Sequence, residues 1–105
     1  MRDLFSKMFV NIIKAYRDVV AVCDSELLGK KFEDGKFQLD IKESFYKGKE
    51  TNEAEIFEII ENLSKKDATF NLVGQKSIAL GLRAGIIAQE EVGEIKGVPF
   101  SLALF

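Results

Sequence analysis

The sequence contains no histidine and no tryptophan, and its 105 residues include a single cysteine and a single proline. Without an imidazole, the chain cannot build a Ser-His or Cys-His nucleophile pair, a histidine-ligated metal site or a histidine proton shuttle. With one thiol, Cys23, it cannot form an internal disulfide or a Cys-x-x-Cys redox pair, and a lone thiol fits a reducing compartment. We therefore predict no metal, no cofactor and a cytoplasmic location.

What is present is the composition of a folded domain. Apolar residues make up 47% and charged residues 30% of the chain, which is enough buriable surface to exclude a disordered tail. The length predicts one domain over residues 1–105. A net charge of −2 argues against a broad cationic surface for nucleic acid. Asn11 and Lys14 interrupt the N-terminal apolar run, so we predict no membrane segment.

Strand signals dominate the first 42 residues. Phe9–Tyr16 and Val19–Cys23 are rich in β-branched and aromatic residues around a short break, which predicts an N-terminal β-hairpin. After the turn signal at Asp34-Gly35, the segment KFQLDIK alternates, with Phe37, Leu39 and Ile41 expected on one side. That alternation predicts a strand with one solvated face.

Two helices follow. Asn52 and Glu55 have the spacing of a helix N-cap, and five apolar residues after them share one helical stripe: Ile56, Phe57, Ile59, Ile60 and Leu63. A second helix begins after Gly74 and ends at Gly85. The pattern predicts an α+β fold: a two-layer α/β sandwich with a mixed sheet of about four to six strands and helices packed mainly on one face.

The segment NLVGQKSIALGLRAG, Asn71 to Gly85, superficially resembles a phosphate-binding loop. A P-loop requires Gly, four residues and then Gly-Lys-Ser or Gly-Lys-Thr, but here Gln75 separates Gly74 from Lys76. The main interpretation makes Gly74 a tight strand-to-helix corner and Asn71 a helix cap. The alternative is that the helix start, with Lys76 and Ser77, binds a single anion.

The segment CDSELLGK holds the residues that an enzyme would use. A thiol before a helix start has its pKa lowered by the helix dipole, but Asp24 and Glu26 add negative charge beside Cys23 and oppose that effect. The simpler interpretation makes Cys23 an apolar residue at the end of a buried strand. Cys23, Asp24 and Glu26, with Lys30, remain an alternative reactive cluster.

The segment ESFYKGKE offers a binding surface. If Phe45 and Tyr46 occupy a strand, one faces the core and the other is exposed beside Lys47 and Lys49. An exposed Tyr46 among lysines can stack a base or contact a partner peptide, and Lys30 and Lys76 are candidates for the same surface. The alternative is an edge-strand turn in which lysines block edge pairing.

The last segment, VGEIKGVPFSLALF, reads as one or two strands broken by Gly97 and Pro99, with the bond before Pro99 cis or, by default, trans. Its apolar ending, Ser101 to Phe105, carries no charged side chain. This ending predicts a surface through which copies of the chain associate.

The order of CDSELLGK, SFYKG, NLVG and GVPF resembles a family of small archaeal proteins catalogued as domain of unknown function 424. The resemblance runs from about Met8 to Leu104, which leaves residues 1–7 as an N-terminal extension or Met8 as the start. It implies a two-layer α/β fold and an archaeal cytoplasm, and it implies no activity, cofactor or catalytic residue. Its archaeal setting suggests a role near translation or RNA handling.

Three functional hypotheses follow. The favoured one is a non-catalytic binding module that contacts RNA or a protein of the translation machinery through Tyr46, Lys47 and Lys49, with Lys30 and Lys76. The second is a homo-oligomerising subunit that associates through its C-terminal apolar segment. The third is an enzyme that uses the Cys23 cluster.

Overall fold

The computed structural model describes residues 7–104 and shows, in that part of the chain, a six-stranded mixed sheet, a separate two-stranded hairpin and three α-helices. The predicted extension, residues 1–7, lies outside the described residues except for Lys7, which begins the first strand. The strands are β1 Lys7–Ile13, β2 Val19–Asp24, β3 Lys31–Asp34, β4 Phe37–Asp40, β5 Lys49–Asn52, β6 Thr69–Val73, β7 Gly93–Ile95 and β8 Val98–Leu104. The helices are α1 Glu43–Tyr46, α2 Glu53–Leu63 and α3 Gln75–Ala84, with 3-10 turns at Ser25–Leu27 and Gln89–Glu91.

The large sheet has the strand order β5-β1-β2-β6-β8-β7. β2 and β6 are parallel, and the other neighbouring pairs are antiparallel. The predicted N-terminal hairpin is confirmed as β1–β2, with Phe9 opposite Cys23 and Ile13 opposite Val19. The predicted α+β architecture is also confirmed, because both long helices pack on one face of this sheet.

The helix face, the side of the sheet that packs against α2 and α3, carries the larger core. Alternate residues of the two central strands point to it, and all are fully buried: Val20, Val22, Phe70 and Leu72. α2 contributes Ile56 and Ile60, which the apolar stripe predicted. The predicted cap is confirmed, since the Asn52 side chain accepts a hydrogen bond from the Glu55 N–H at 2.9 Å.

The hairpin face, the opposite side of the sheet, is covered at one end by β3–β4, α1 and the Ser25–Leu27 turn. Ala21, Cys23 and Val73 pack there against Ile41 and Tyr46. The segment KFQLDIK therefore forms part of a second, small sheet and does not join the large one. Phe37, expected on the same side as Leu39 and Ile41, is 71% exposed and lines a surface groove beside the edge strand β7.

The other end of the hairpin face has no covering layer among the described residues. Ile13, Val19, Thr69 and Leu104 lie side by side across β1, β2, β6 and β8. Leu102 and Leu104 are 56% and 67% exposed. In residues 7–104, β7 pairs only with Val98–Phe100, so the outer edge of β8 is open from Ser101 to Leu104.

Candidate functional site

The end cleft lies beyond the carboxyl ends of the parallel strands β2 and β6 and has a volume of about 230 Å³. Crevices beyond the carboxyl ends of parallel strands are where open α/β sheets bind ligands. Residues from three separate parts of the chain form its walls: Asp24, Glu26, Leu27, Gln75, Lys76, Gly97, Val98 and Pro99. The bond before Pro99 is trans.

Asp24 is the buried charged group of the cleft, whereas Glu26, Gln75 and Lys76 are exposed. It is 2% exposed, and its carboxylate accepts hydrogen bonds from the backbone N–H of Lys76 at 3.0 Å and of Ser77 at 2.9 Å. The Ser77 hydroxyl donates a third bond to the carboxylate at 2.8 Å. A carboxylate at the positive end of a helix dipole is favourable, so Asp24 caps α3 from 52 residues away.

Gly74 makes this contact possible. Its φ of +107° lies outside the range that residues with side chains adopt, and a Cβ there would overlap the Asp24 carboxyl group. The predicted strand-to-helix corner at Gly74 is confirmed. The predicted cap at Asn71 is wrong, because β6 continues through Val73 and leaves Asn71 in the middle of a strand.

The first-turn N–H groups of α3 do not form an open anion site. They donate to Asp24, so the protein supplies its own anion where the Lys76 and Ser77 pattern suggested an external one. The Lys76 side chain remains exposed at the cleft wall. This lysine can contact an anionic group of a ligand without help from the helix start.

Cys23 lies beneath the cleft and does not line it. The thiol is fully buried, and burial raises its pKa from 9.0 to about 12, with smaller contributions from the charges of Asp24 and Glu26. A thiol with this pKa is protonated at neutral pH and is a poor nucleophile. The three residues of the alternative reactive cluster therefore do not act together. Asp24 is hydrogen-bonded to α3, and Glu26 is exposed at the cleft wall. Cys23 is buried in the core on the hairpin face.

Tyr46 is buried, at 7% exposure, so the expectation of an exposed aromatic at this position is wrong. The reason is local structure: residues 43–46 form the short helix α1, whereas the alternation argument assumed a strand. The Tyr46 and Phe45 rings meet edge to face with centroids 5.0 Å apart. Burial, with a smaller effect of Cys23, raises the pKa of Tyr46 to about 12.

The four candidate lysines do not form one patch. Lys76 lines the end cleft, and Lys30 is close to it, since its N–H donates to the carbonyl of the cleft residue Leu27 at 3.0 Å. Lys49 is the first residue of β5, which lies at the opposite edge of the sheet from β7, and Lys47 lies two residues before it. Lys49 also forms an ion pair with Glu55 at 2.6 Å. Of these four lysines, Lys76 alone lines the end cleft.

The sequence patterns missed several of the cleft walls. Leu27, Val98 and Pro99 lie within the motifs CDSELLGK and GVPF, and Gln75 directly follows NLVG, but none of them was predicted as a site residue. Three separate segments supply them. The signal that would have found them is the parallel pairing of β2 with β6, which brings the residues following both strands to the same edge.

Within residues 7–104 there is no group of three or more histidine, cysteine, aspartate or glutamate side chains positioned to hold a metal ion. None of the helices in that range combines the length and the apolar content needed to cross a bilayer.

Comparison with known proteins agrees with the fold. The chain is similar to the crystal structure of an uncharacterized conserved protein from Methanopyrus kandleri, with a TM-score of 0.83 and 27% sequence identity over 94% of this chain and 91% of that one. A search of curated proteins gives no match. Residues 13–104 match the family model described as protein of unknown function (DUF424), which confirms the resemblance drawn from the four short motifs. Since that match spans far more than half of the sequence, the chain belongs to the DUF424 family.

Proposed function

We propose that this protein is a non-catalytic binding module that recognises a partner at the end cleft. The observation that carries the proposal is the mutual engagement of Asp24 and the start of α3. The Asp24 carboxylate and the N–H groups at the start of α3 are hydrogen-bonded to each other. The group best suited to acid–base chemistry and the group best suited to anion binding therefore bind each other and not a ligand. What the cleft offers a ligand is its apolar wall and the side chains of Lys76, Gln75 and Glu26.

These groups suit recognition better than catalysis. A general base has to contact its substrate, but Asp24 is 2% exposed and three hydrogen bonds hold its carboxylate against the start of α3. The nearest thiol is buried and protonated at neutral pH. A pocket with apolar walls and a few polar groups is typical of a binding site.

A protein partner fits this surface better than RNA does. RNA modules that bind single strands stack bases on exposed aromatic rings, and Tyr46, the aromatic considered for that role, is buried. The net charge of −2 also disfavours extensive phosphate contact. Lys30 and Lys76 form no ion pair with any described residue, so they are open to an acidic group of a protein segment. A protein of the translation machinery, the setting that the family resemblance implies, is the partner we propose.

The test is affinity purification of the tagged protein from its native host, with and without RNase, followed by mass spectrometry. A Lys30→Ala/Lys76→Ala variant removes the two cationic groups at the cleft. The backbone N–H of residue 76 still donates to Asp24 in this variant, so the fold is unaffected. We expect a several-fold lower recovery of the partner, and we expect RNase to have no effect on the wild-type recovery.

A Lys65→Ala/Lys66→Ala variant is the matched control, because it makes the same change of charge at exposed residues beyond the end of α2. Its partner recovery should equal that of the wild type. Equal recovery with the cleft variant would show that the cleft is not the contact. Loss of the partner on RNase treatment would show that RNA makes the contact.

A second candidate function, self-association, is favoured by the exposed leucines of β8. Leu102 and Leu104 lie on an open strand edge with no charged residue between Ser101 and Leu104, and such edges pair with other strands. Light scattering on the wild type and on a Leu102→Ser/Leu104→Ser variant tests it. A dimeric wild type and a monomeric variant would support association through β8, whereas a monomeric wild type would contradict it.

A further inference from the structure

The outer edge of β8 is open beyond the end of β7. β7 lies beside β8 only as far as Phe100, which pairs with Gly93. From Ser101 to Leu104, the part of the chain that the structure describes places no strand along this side. Leu102 and Leu104 lie in this open stretch and are 56% and 67% exposed.

The register of β8 shows which of its backbone groups point out of the open edge. In antiparallel strands the N–H and C=O groups of successive residues point to opposite sides. The Pro99 carbonyl points towards β6, because it accepts a hydrogen bond from the Gly74 N–H at 2.8 Å. Alternation gives the odd-numbered residues that follow the same direction, in agreement with their pairing to β6. The N–H and C=O groups of Leu102 and Leu104 therefore point to the open side.

This open stretch lacks the features that block strand pairing at the other edges. Natural sheets protect their edges with charged side chains, very short strands or covering segments. β5, at the opposite edge, carries Lys49 and Glu50, and β7 is three residues long with Glu94 at its centre. By contrast, residues 101–104 include no charged side chain. The open stretch of β8 is thus suited to pairing with another strand.

We propose that β8 pairs with β8 of a second copy of this chain, antiparallel and about a twofold axis at Ala103. The inference rests on the self-association given above as the second candidate function, and it specifies the register. Leu102 of one copy lies opposite Leu104 of the other, and the two residues exchange backbone hydrogen bonds. An axis at Leu102 would pair that residue alone, because Leu104 would then lie opposite Phe100, whose outward groups already pair with β7.

The side chains agree with this register. Leu102 and Leu104 project from the same face of the sheet, since residues two apart in a strand share a face. The twofold axis is perpendicular to the sheet, so it places the hairpin faces of both copies on the same side. The leucines of the two copies then lie directly opposite one another across the join. Opposed apolar side chains on neighbouring strands stabilise their pairing, and here they cover surface that is exposed in a single copy.

A second copy fits this edge better than an unrelated extended peptide does. Its β8 is already held as a strand by β6, whereas a free peptide loses conformational entropy when it binds. The contact opposes no like charges, because residues 101–104 are uncharged in both copies. A twofold contact is also closed, so the assembly stops at two copies and does not grow into a fibre.

Amide hydrogen exchange followed by NMR, over a range of protein concentrations, tests the pairing. The amides of Leu102 and Leu104 have no strand partner within one copy, so they should exchange fast in dilute protein. At millimolar concentration they should exchange several-fold more slowly. The amides of Ser101 and Ala103, which point to β6, should keep the same rates at every concentration and are the internal control.

Disulfide cross-linking tests the register. Leu102→Cys and Leu104→Cys each place one thiol on the open edge, while the native thiol of Cys23 is buried and protonated at neutral pH. One variant is ¹⁵N-labelled, so that intact mass identifies the mixed dimer. Under oxidation, an equimolar mixture should form the mixed dimer several-fold faster than either variant cross-links alone. Tyr16→Cys, at a fully exposed position in the β1–β2 turn, should cross-link more slowly than the mixture.

The outcomes separate this inference from the self-association on which it rests. A chain that is monomeric by light scattering at every concentration would contradict both. A dimer in which the Leu102 and Leu104 amides exchange as fast as in the monomer would leave self-association standing and overturn pairing through β8. Faster cross-linking in Leu102→Cys alone than in the mixture would overturn the register. None of these outcomes bears on the end cleft, which lies at the other end of β8.

Discussion

At the scale of single residues, Asp24 connects the fold to the candidate site. It is the last residue of β2, and it accepts three hydrogen bonds from the first turn of α3. This contact aligns the carboxyl end of β2 with the start of the helix that follows β6. The end cleft exists because these two elements are held together at that point.

Replacing Asp24 should therefore cost stability. Asp24→Ala leaves the N–H groups of Lys76 and Ser77 without an acceptor in a buried position, which should lower the free energy of unfolding by about 3 kcal/mol. Asp24→Asn keeps one oxygen acceptor and should lower it by about 1.5 kcal/mol. Urea unfolding followed by circular dichroism measures both. An Asp24→Ala variant as stable as the wild type would show that the carboxylate does not cap α3.

The raised pKa values of Cys23 and Tyr46 predict that the protein loses stability in alkali. Burial raises the pKa of Cys23 from 9.0 to about 12 and that of Tyr46 from 10.0 to about 12. Between pH 9 and 12 the unfolded chain releases these protons while the folded chain keeps them, so the free energy of unfolding falls as pH rises. Below about pH 8 neither group contributes a pH dependence, because both are protonated in the folded and the unfolded chain.

A Cys23→Ala variant provides the control for this pH effect. Between pH 9 and 10 the thiol of the unfolded chain titrates before the phenol does, so the variant should lose less stability than the wild type over that interval. Urea unfolding at a series of pH values gives both curves. Parallel curves for the two proteins would contradict the assignment to Cys23.

At the scale of elements, α2 is tied to β5 by the residues at its start. The Asn52 side chain caps the helix, and Glu55 accepts hydrogen bonds from Thr51 Oγ1 at 2.8 Å and from Lys49 Nζ at 2.6 Å. Both donors belong to β5. The strand and the helix therefore meet through a small polar network at the surface.

Asn52→Ala should lower the free energy of unfolding by about 1 kcal/mol, because the Glu55 N–H loses its acceptor. Asn52→Asp keeps an acceptor at the helix start and should be close to neutral. Thermal unfolding of the two variants beside the wild type checks the difference. Similar losses for both would show that some other property of Asn52, and not its acceptor, matters.

α1 shows why the local sequence did not predict every element correctly. ESFY has two adjacent aromatics, a pattern that suits a strand by propensity, and nothing within four residues shows that they pack beneath a turn of helix. Tertiary contacts decide the outcome. Tyr46 packs with Cys23, Ile41 and Val73, and the Asn11 side chain donates to the Phe45 carbonyl at 2.8 Å.

At the scale of the whole molecule, coverage of the sheet is uneven. β2 and β6 lie at its centre, with helices along one face and the small hairpin over part of the other. The β3–β4 hairpin packs on the sheet as a separate two-stranded unit. A two-stranded hairpin has little stability of its own. Local opening should therefore begin in the small hairpin and at the ends of β7 and β8.

Amide hydrogen exchange followed by NMR tests this order of protection. The slowest amides should be those of Val20, Val22, Phe70 and Leu72, with rates set by global unfolding. The cross-strand amides of β3 and β4 should exchange much faster. Equal protection in the hairpin and the central strands would mean that the small sheet unfolds only together with the whole domain.

The sequence by itself determined the elements whose signals are local. The local elements each depend on residues within a few positions of one another: the N-terminal hairpin, the Asn52 cap, the apolar stripe of α2, the glycine corner at Gly74 and the glycine stop at Gly85. The four family motifs are short and contiguous in the same way, so the DUF424 membership could also be inferred from the sequence.

Only the tertiary structure decided the sites. The end cleft needs Asp24, at the end of β2, to meet the first turn of α3. Tyr46 and Cys23 are buried because other segments of the chain pack over the hairpin face. Such contacts join segments far apart in the chain, and their energies depend on strand order and layer packing, which the local side-chain pattern does not encode.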